Sequence, residues 1–577
     1  ARVPSFMAMS WFVLMDELPV NTNGKIDRKA LVGLKPPGEA PDQHPGREAL
    51  RQSPISFIWR ELLHRERVEE HDNFFDLGGD SLLAVQLVSR VWTNLGVELE
   101  VQDVFEAPTA GSLTELIRLR SSAQIRKQAP PILALPRPEF IPLSFAQQRL
   151  WFLDQTAPGN AAYNIPVAVR LSGEVNEEAL SQAFGEIARR YEILRTRIVT
   201  QNGKPSQEII EGLKIDLSTA DISGLLTSGK APDAVQLSAE EAARPFSLQS
   251  APLIRVRVLR PSPREHLLIF TMHHIVTDEW STEILLRDMA SLYRAYSQGQ
   301  PSALTEVDIQ YADFAIWQRA WLSERVLDSL MDYWRDQLAG IPHALELPID
   351  LPRPAISKYD GATTTFELDK DILGGLKLIC GAHGVTLFML LLAAFEALLH
   401  RYSGQDDFVV GSPIANRNRS QIEPVVGFFS NTLALRARVQ GDISFAELLA
   451  RVRETALGAF ERQDLPFEKL VDELKPERDL GRSPLFQVSF VFQSASRAPV
   501  HLPGLEFESV EIDTQTSKFE LTLMLVETSL GIDGFLQYNT DLFLPATISK
   551  MVRHFRNLIS GVIADSTTLV AELPLLD

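Results

Sequence analysis

The sequence predicts a multidomain protein in which a small helical bundle precedes a large, two-lobed α/β region. Three observations predict it. The chain has 577 residues, more than one hydrophobic core usually organises. Two stretches, Lys35–Gly46 and Ser121–Glu139, each hold four prolines among polar residues without apolar periodicity and read as linkers. Between them the apolar residues recur at helical spacing, whereas after Phe140 helical and strand-like patterns alternate. The resulting division is 1–34, a linker at 35–48, the helical unit at 49–120, a linker at 121–139 and the α/β region at 140–577.

In the helical unit the spacing predicts helices at Ile55–Leu63, Ser81–Leu95 and Ser112–Leu119. Ala84, Leu87, Val88, Val91 and Leu95 form one apolar stripe on the second. In the α/β region it predicts helices at Glu177–Tyr191, Thr282–Tyr296 and Val385–Arg401. Strands are expected at Ile165–Leu171, Leu253–Leu259, His266–Met272, Phe408–Gly411 and Phe486–Phe492. Some 440 residues exceed one ordinary core, which implies two lobes with a cleft between them, the usual place for an active site.

Composition narrows the classes. A hydrophobic fraction of 45% and a charged fraction of 23% are those of a globular protein. The net charge of −19, from 56 basic and 75 acidic side chains, opposes binding to nucleic acid or to anionic membranes. The single cysteine, Cys380, permits neither an internal disulfide nor a cysteine-based zinc site and agrees with a cytoplasmic location. Val385–Leu399 is strongly apolar but short and contains Glu396, so it reads as a buried helix and not as a membrane span. Ala1–Leu18 lacks a basic start and a small-residue cleavage site, and there is no initiator methionine; the expectation is a chain that begins inside a larger polypeptide.

One serine stands out. In Asp72-Asn-Phe-Phe-Asp-Leu-Gly-Gly-Asp-Ser81-Leu82 it follows a glycine turn at the start of an amphipathic helix. By itself this spacing is ordinary turn and capping chemistry. The longer string Asn73–Leu82, however, is similar to the attachment signature of peptidyl carrier proteins. That resemblance implies that Ser81 receives 4′-phosphopantetheine from coenzyme A, through a phosphopantetheinyl transferase, and holds an acyl group as a thioester. A helix N-terminus suits a phosphodiester, and neighbouring glycines allow close approach.

A second cluster, His273-His274 with Asp278, lies in Phe270-Thr-Met-His-His-Ile-Val-Thr-Asp-Glu-Trp-Ser281 just after a strand-like run. Alone, such a pair is as readily structural as catalytic. Six further segments accompany it: Ser144–Leu153, Arg190–Arg197, Tyr311–Trp317, Gly411–Arg417, Gly427–Arg436 and Gln463–Leu470. Together they resemble the condensation domains of nonribosomal peptide synthetases, relatives of chloramphenicol acetyltransferase.

The resemblance implies amide formation, in which the amine of an acceptor aminoacyl group attacks the thioester carbonyl of the donor, with no metal required. It makes His274 the catalytic histidine and His273 an inward-facing support. Asp278 is expected to pair with an arginine, Arg195 being the first candidate, and Asn431 to line or support the tunnel. An α-amino group is partly neutral near pH 7, so positioning by His274 is expected to outweigh strong base catalysis. The family usually has glycine directly after the aspartate; here stands Glu279. It would attract the acceptor ammonium, narrow the channel or point away.

A carrier upstream of the condensation region implies an unepimerised donor, and the motifs look most like the subtype that joins an L-donor to an L-acceptor. Leu18-Pro-Val-Asn-Thr-Asn-Gly-Lys25-Ile-Asp-Arg-Lys-Ala-Leu31 is similar to the closing motif of adenylation domains, in which the lysine contacts the acyl-adenylate. Implied partners are an upstream adenylation domain, a downstream acceptor carrier and the transferase. Two rivals remain: a lobe that only gates or recruits a partner, and epimerisation on the same histidine pair.

Overall fold

The computed structural model describes residues 53–120, 130–156, 158–223, 234–356, 359–476, 479, 481–494, 502, 504–510, 512 and 515–576. The motif around Lys25, the whole 1–34 segment, the linker at 35–48 and residues 121–129 lie outside them.

The helical unit consists of α1 (Pro54–Leu63), α2 (Ser81–Leu95), α3 (Val101–Glu106) and α4 (Ala110–Arg120). Trp59 and Phe74 are fully buried at its centre, edge to face at 5.1 Å, a favoured aromatic geometry. The six-residue α3 is an addition to the expected helices, too short to show a period. On α2 the expected stripe holds at Ala84, Leu87 and Val91, but Val88 and Leu95 are only half-buried, while Ser81, Val85 and Gln86 are buried too. The cap of this helix is Asp80, whose Oδ1 accepts from Leu83 N at 2.8 Å. Capping therefore falls to Asp80, and the Ser81 hydroxyl is left over for another use. Gly79 is required where it stands, because a Cβ there would run into the Phe74 ring.

The α/β region has two lobes. The first carries a five-stranded sheet of β2 (Asn164–Gly173), β5 (Leu217–Asp221), β6 (Ile254–Ser262), β7 (Glu265–His273) and β12 (Leu505–Val510), ordered β12-β2-β7-β6-β5. A small sheet of β1 (Ile141–Pro142), β3 (Thr196–Gln201) and β4 (Lys204–Ile209) accompanies it. Its helices include α5 (Phe145–Thr156), α6 (Glu177–Arg190), α7 (Glu279–Ser297) and α8 (Tyr311–Trp321). The second lobe carries six strands, ordered β10-β9-β11-β13-β14-β8: β8 (Gly361–Asp369), β9 (Asp407–Ile414), β10 (Asn431–Arg438), β11 (Val488–Ser494), β13 (Leu521–Glu527) and β14 (Gly531–Asn539). Strand β11 runs parallel to both neighbours, β9 and β13, and the other pairings are antiparallel. Helices α9 (Leu387–Ser403) and α10 (Phe445–Glu461) pack with this lobe. As expected from its apolar run, α9 is a core helix: every residue from Met389 to Leu399, Glu396 included, is buried. Among the described residues no single helix is long and apolar enough to cross a membrane.

The lobes exchange chain twice. Strand β12, which follows β11 in sequence, pairs with β2 in the first lobe, Leu505 opposite Gly173. The segment between β9 and β10 leaves the second lobe and buries Ile422, Val425, Val426 and Phe429 in the first-lobe core before returning. The end of the expected 121–139 linker differs from expectation. Ile132 is buried and exchanges hydrogen bonds with the Gln421 side chain, and Arg137 pairs with Asp313 and Glu192. These side-chain partners lie far along the chain, so local composition carries no trace of them.

Candidate active site at the lobe interface

Strand β7 ends at His273, opposite Asn164 in the register with β2, and the chain then turns through a short 3-10 helix, His274–Val276. His273 is buried, and its Nδ1 accepts from Ile275 N at 3.1 Å. Burial pushes its imidazole down to about 3, with His274 and Lys518 adding to the effect. Its ring is turned inward and holds the backbone of the turn through its bond with Ile275 N.

His274 is half-buried, its ring 4.5 Å from that of Phe428. Its Nδ1 lies 2.8 Å from Thr277 O. A carbonyl oxygen only accepts, so Nδ1 carries the proton and Nε2 keeps its lone pair. Burial, followed by the charge of Lys518, pushes this imidazole down to about 4. His274 is thus neutral at physiological pH, with a fixed tautomer whose Nε2 accepts a proton or a hydrogen bond.

Asp278 caps α7, its Oδ1 accepting from Ser281 N at 2.8 Å. Its expected partner, Arg195, is elsewhere: that guanidinium donates to the carbonyls of Ala188 and Ile210. The partner is Arg417, which is fully buried and donates to Asp278 Oδ1 at 3.1 Å and to Ser281 Oγ at 2.7 Å. Its other amine donates to the carbonyls of Ile422 and Val425 at 2.5 and 2.7 Å. Asp278 Oδ2 accepts from Phe429 N at 2.9 Å. One buried ion pair therefore ties the histidine turn to the crossing segment of the second lobe. Arg417 closes the Gly411–Arg417 segment, so the signal for it was in the sequence, but its partner is 139 residues away.

Two more contacts fix the turn. Gln147 of α5 donates to Ile275 O at 3.2 Å. Tyr311 of α8 donates to Phe428 O at 2.6 Å, holding the residue whose ring faces His274. Gly427 lets that segment pass beneath Tyr311, since a Cβ there would overlap the ring.

Asn431 is architectural. Its Nδ2 donates to Gln463 O and Leu465 O at 2.8 and 2.7 Å, and its Oδ1 accepts from Phe467 N at 3.0 Å. Glu279 begins α7 and reaches across the lobes, with Gln493 Nε2 of β11 at 2.7 and 2.6 Å from its two oxygens.

Ser81 lies on the second lobe. It is buried, with Oγ 2.9 Å from Oγ1 of Thr386, the N-cap of α9. Arg90 of α2 pairs with Glu423 at 2.8 Å, and Glu423 O accepts from Trp280 Nε1 at 2.9 Å, two residues beyond Asp278. The carrier-like unit thus reaches the segment that also holds Asp278. For a phosphopantetheine arm the residues fit: the hydroxyl stands on the first turn of a 15-residue helix, is not spent on capping, and points toward the α/β region.

A neutral, oriented histidine at a two-lobed interface beside a serine-bearing helical unit defines an acyl-transfer scaffold with its own carrier. A condensation domain model matches residues 138–577, and a phosphopantetheine attachment site model matches residues 54–117. The chain belongs to the condensation domain family and carries a phosphopantetheine attachment domain ahead of it. It is similar to malpinin synthetase of Mortierella alpina, 40% identical over 100% of this chain and 7% of that protein, so it spans only a small part of that relative's length. Among solved structures it resembles the X-domain from teicoplanin biosynthesis, with 28% identity, a TM-score of 0.70, and coverage of 78% of this chain and 100% of that one. The first condensation domain of the CDA synthetase shares the fold, at 22% identity and a TM-score of 0.64 over 75% of this chain and 98% of that one.

Proposed function

We propose that this chain performs one elongation step of nonribosomal peptide synthesis, joining a donor acyl group on Ser81 to the amine of an acceptor aminoacyl thioester. The observation that carries this reading is the His274 geometry, Nδ1–H committed to Thr277 O and Nε2 left as an acceptor, in one chain with the Ser81 carrier helix. Bound to Ser81, the arm supplies the thiol on which the donor is held. Nε2 of His274 receives a hydrogen bond from the acceptor amine and orients its lone pair toward the donor carbonyl. In the overall exchange a C–N bond forms, the C–S bond breaks, and the proton lost by nitrogen ends on sulfur. Asp278 and Arg417 hold the turn and take no part in proton movement.

The same reading makes residues 1–34, with Lys25, the end of an adenylation domain, and expects a phosphopantetheinyl transferase, a downstream acceptor carrier, an L-donor with an L-acceptor, and a cytoplasmic setting. The test is single-turnover transfer from a loaded Ser81 to a soluble acceptor thioester, followed by mass spectrometry. His274→Ala is expected to slow amide formation by about 10²-fold or more while leaving Ser81 loading intact. A wild-type rate in that variant overturns the assignment and favours a recruiting or gating lobe; an isomerised donor favours epimerisation.

A further inference from the structure

Phe428 takes no part in the transfer described above, yet the backbone around it is bonded from several directions. Ser281 of α7 brackets Gly427: its Oγ accepts from Gly427 N at 3.0 Å and donates to Gly427 O at 2.8 Å. Arg417 donates to the same oxygen at 2.7 Å, so the one donor and both lone pairs of this hydroxyl are used. Tyr311 of α8 donates to Phe428 O at 2.6 Å and accepts from Ser144 Oγ at 2.8 Å. Phe429 N donates to Asp278 Oδ2 at 2.9 Å, and Phe429 O accepts from Asn416 Nδ2 at 3.2 Å. Five hydrogen bonds thus converge on the backbone of three consecutive residues, from α7 with its cap, from α8 and from the turn after β9.

Of these three residues only Phe428 turns a side chain toward the histidine. Gly427 has none, and the Phe429 ring is buried against Tyr311 and Phe314. The Phe428 ring is half-buried, with its centre 4.5 Å from that of the His274 imidazole and its plane tilted by 50° to it. The bond from Nδ1 to Thr277 O holds one edge of that imidazole. The χ2 torsion of a histidine is broad and roughly two-fold, and a half-turn about it would put Cε1 where Nε2 now stands. An aromatic ring packed against the imidazole opposes that turn, both by occupying the space it needs and through the contact it would lose.

We propose that Phe428 is a positioning residue for the transfer: its ring, fixed through the bonds on its own backbone, locks the His274 imidazole in the rotamer that presents Nε2 to the acceptor amine. This rests on the elongation reading above. A histidine that acts by orienting an amine is only as effective as its own orientation is fixed, because small displacements of the reacting groups cost rate steeply. The bonds on residues 427–429 supply that fixity from outside the histidine turn. Phe428 touches neither donor nor acceptor in this role and acts only through the imidazole.

The experiment compares wild type, Phe428→Ala and Phe428→Tyr in two measurements on the full chain. The first is single-turnover transfer from a loaded Ser81 over a range of concentrations of a soluble acceptor thioester. Phe428→Ala is expected to lower the rate at saturating acceptor by about 10-fold, the size of one aromatic contact, with the half-saturating concentration unchanged. Phe428→Tyr, which restores the ring, is expected to keep the wild-type rate. An unchanged rate in Phe428→Ala, or a loss confined to a raised half-saturating concentration, overturns the proposal. The second measurement needs no turnover: the ring-nitrogen NMR shifts of His274 in the donor-free chain labelled with ¹⁵N-histidine, the signals assigned by their loss in His274→Ala. Wild type and Phe428→Tyr are expected to show one tautomer, protonated at Nδ1. In Phe428→Ala the two nitrogen shifts are expected to converge as the ring turns. Wild-type shifts in Phe428→Ala overturn the proposal whatever its rate. A wild type that forms no amide defeats the elongation reading instead, while these shifts still report whether Phe428 holds the imidazole.

Discussion

Arg417 is fully buried, with Asp278, Ser281 and two backbone carbonyls as its partners, and burial alone pushes a guanidinium toward its neutral form. Removing its anion leaves that charge without compensation. Asp278→Ala is therefore expected to lower stability by about 3–5 kcal/mol, seen as a lower thermal midpoint; an unchanged midpoint with lost transfer would assign Asp278 to the chemistry. Glu279 is a milder case. Its contact with Gln493 is exposed, so Glu279→Gly is expected to cost less than about 1 kcal/mol, and Gln493→Ala should reproduce any change in transfer rate that Glu279→Gly causes. His273, His274 and Asp278 are singled out through the resemblance of their motif and its six companion segments to condensation domains, and the structure places all three on one turn because they are neighbours in sequence. Arg417 stands at the end of a singled-out segment, but its pairing with Asp278 was not legible, because pairing across the lobes is set by the path of the 415–430 segment. Arg195, the first candidate for this pairing, spends its donors on local carbonyls instead.

Among elements, the long periodic ones were readable. Expected Ile165–Leu171 became β2, His266–Met272 became β7, and the run at 385–401 became α9, each with ends shifted by a few residues. What escaped was the outer part of the second sheet: in β8 (GATTTFELD) buried and exposed positions alternate only partly, and β14 contains two glycines. Helix α9 carries its own liability. Glu396 sits within a run of buried apolar residues, and burial pushes its carboxyl up to about 8. A raised carboxyl pKa means the unfolded state ionises first, so this residue costs stability progressively as pH rises from the ordinary carboxylate range toward 8. Glu396→Gln is expected to match wild type near pH 4 and to gain in urea midpoint as the pH is raised to 8. A difference independent of pH would mean that Glu396 is not held protonated.

At the scale of the whole molecule, the division into a helical unit and a two-lobed α/β region followed from linkers and periodicity, because composition changes where domains change. The contact between them did not. Ser81 with Thr386, and Arg90 with Glu423, are pairs of ordinary surface residues until the domains meet. Arg90→Glu is expected to loosen this contact and Arg90→Glu with Glu423→Arg to restore it, read by cross-linking or by small-angle scattering. Ser81 loading by a phosphopantetheinyl transferase should be faster in Arg90→Glu than in wild type and return to the wild-type rate in the double variant. Equal rates in all three would mean that the buried hydroxyl is no obstacle. In the docked arrangement the Ser81 oxygen is covered by Thr386. On the proposed reading, loading and docking then compete for one surface, and slower loading of wild type than of Arg90→Glu is the mark of that competition.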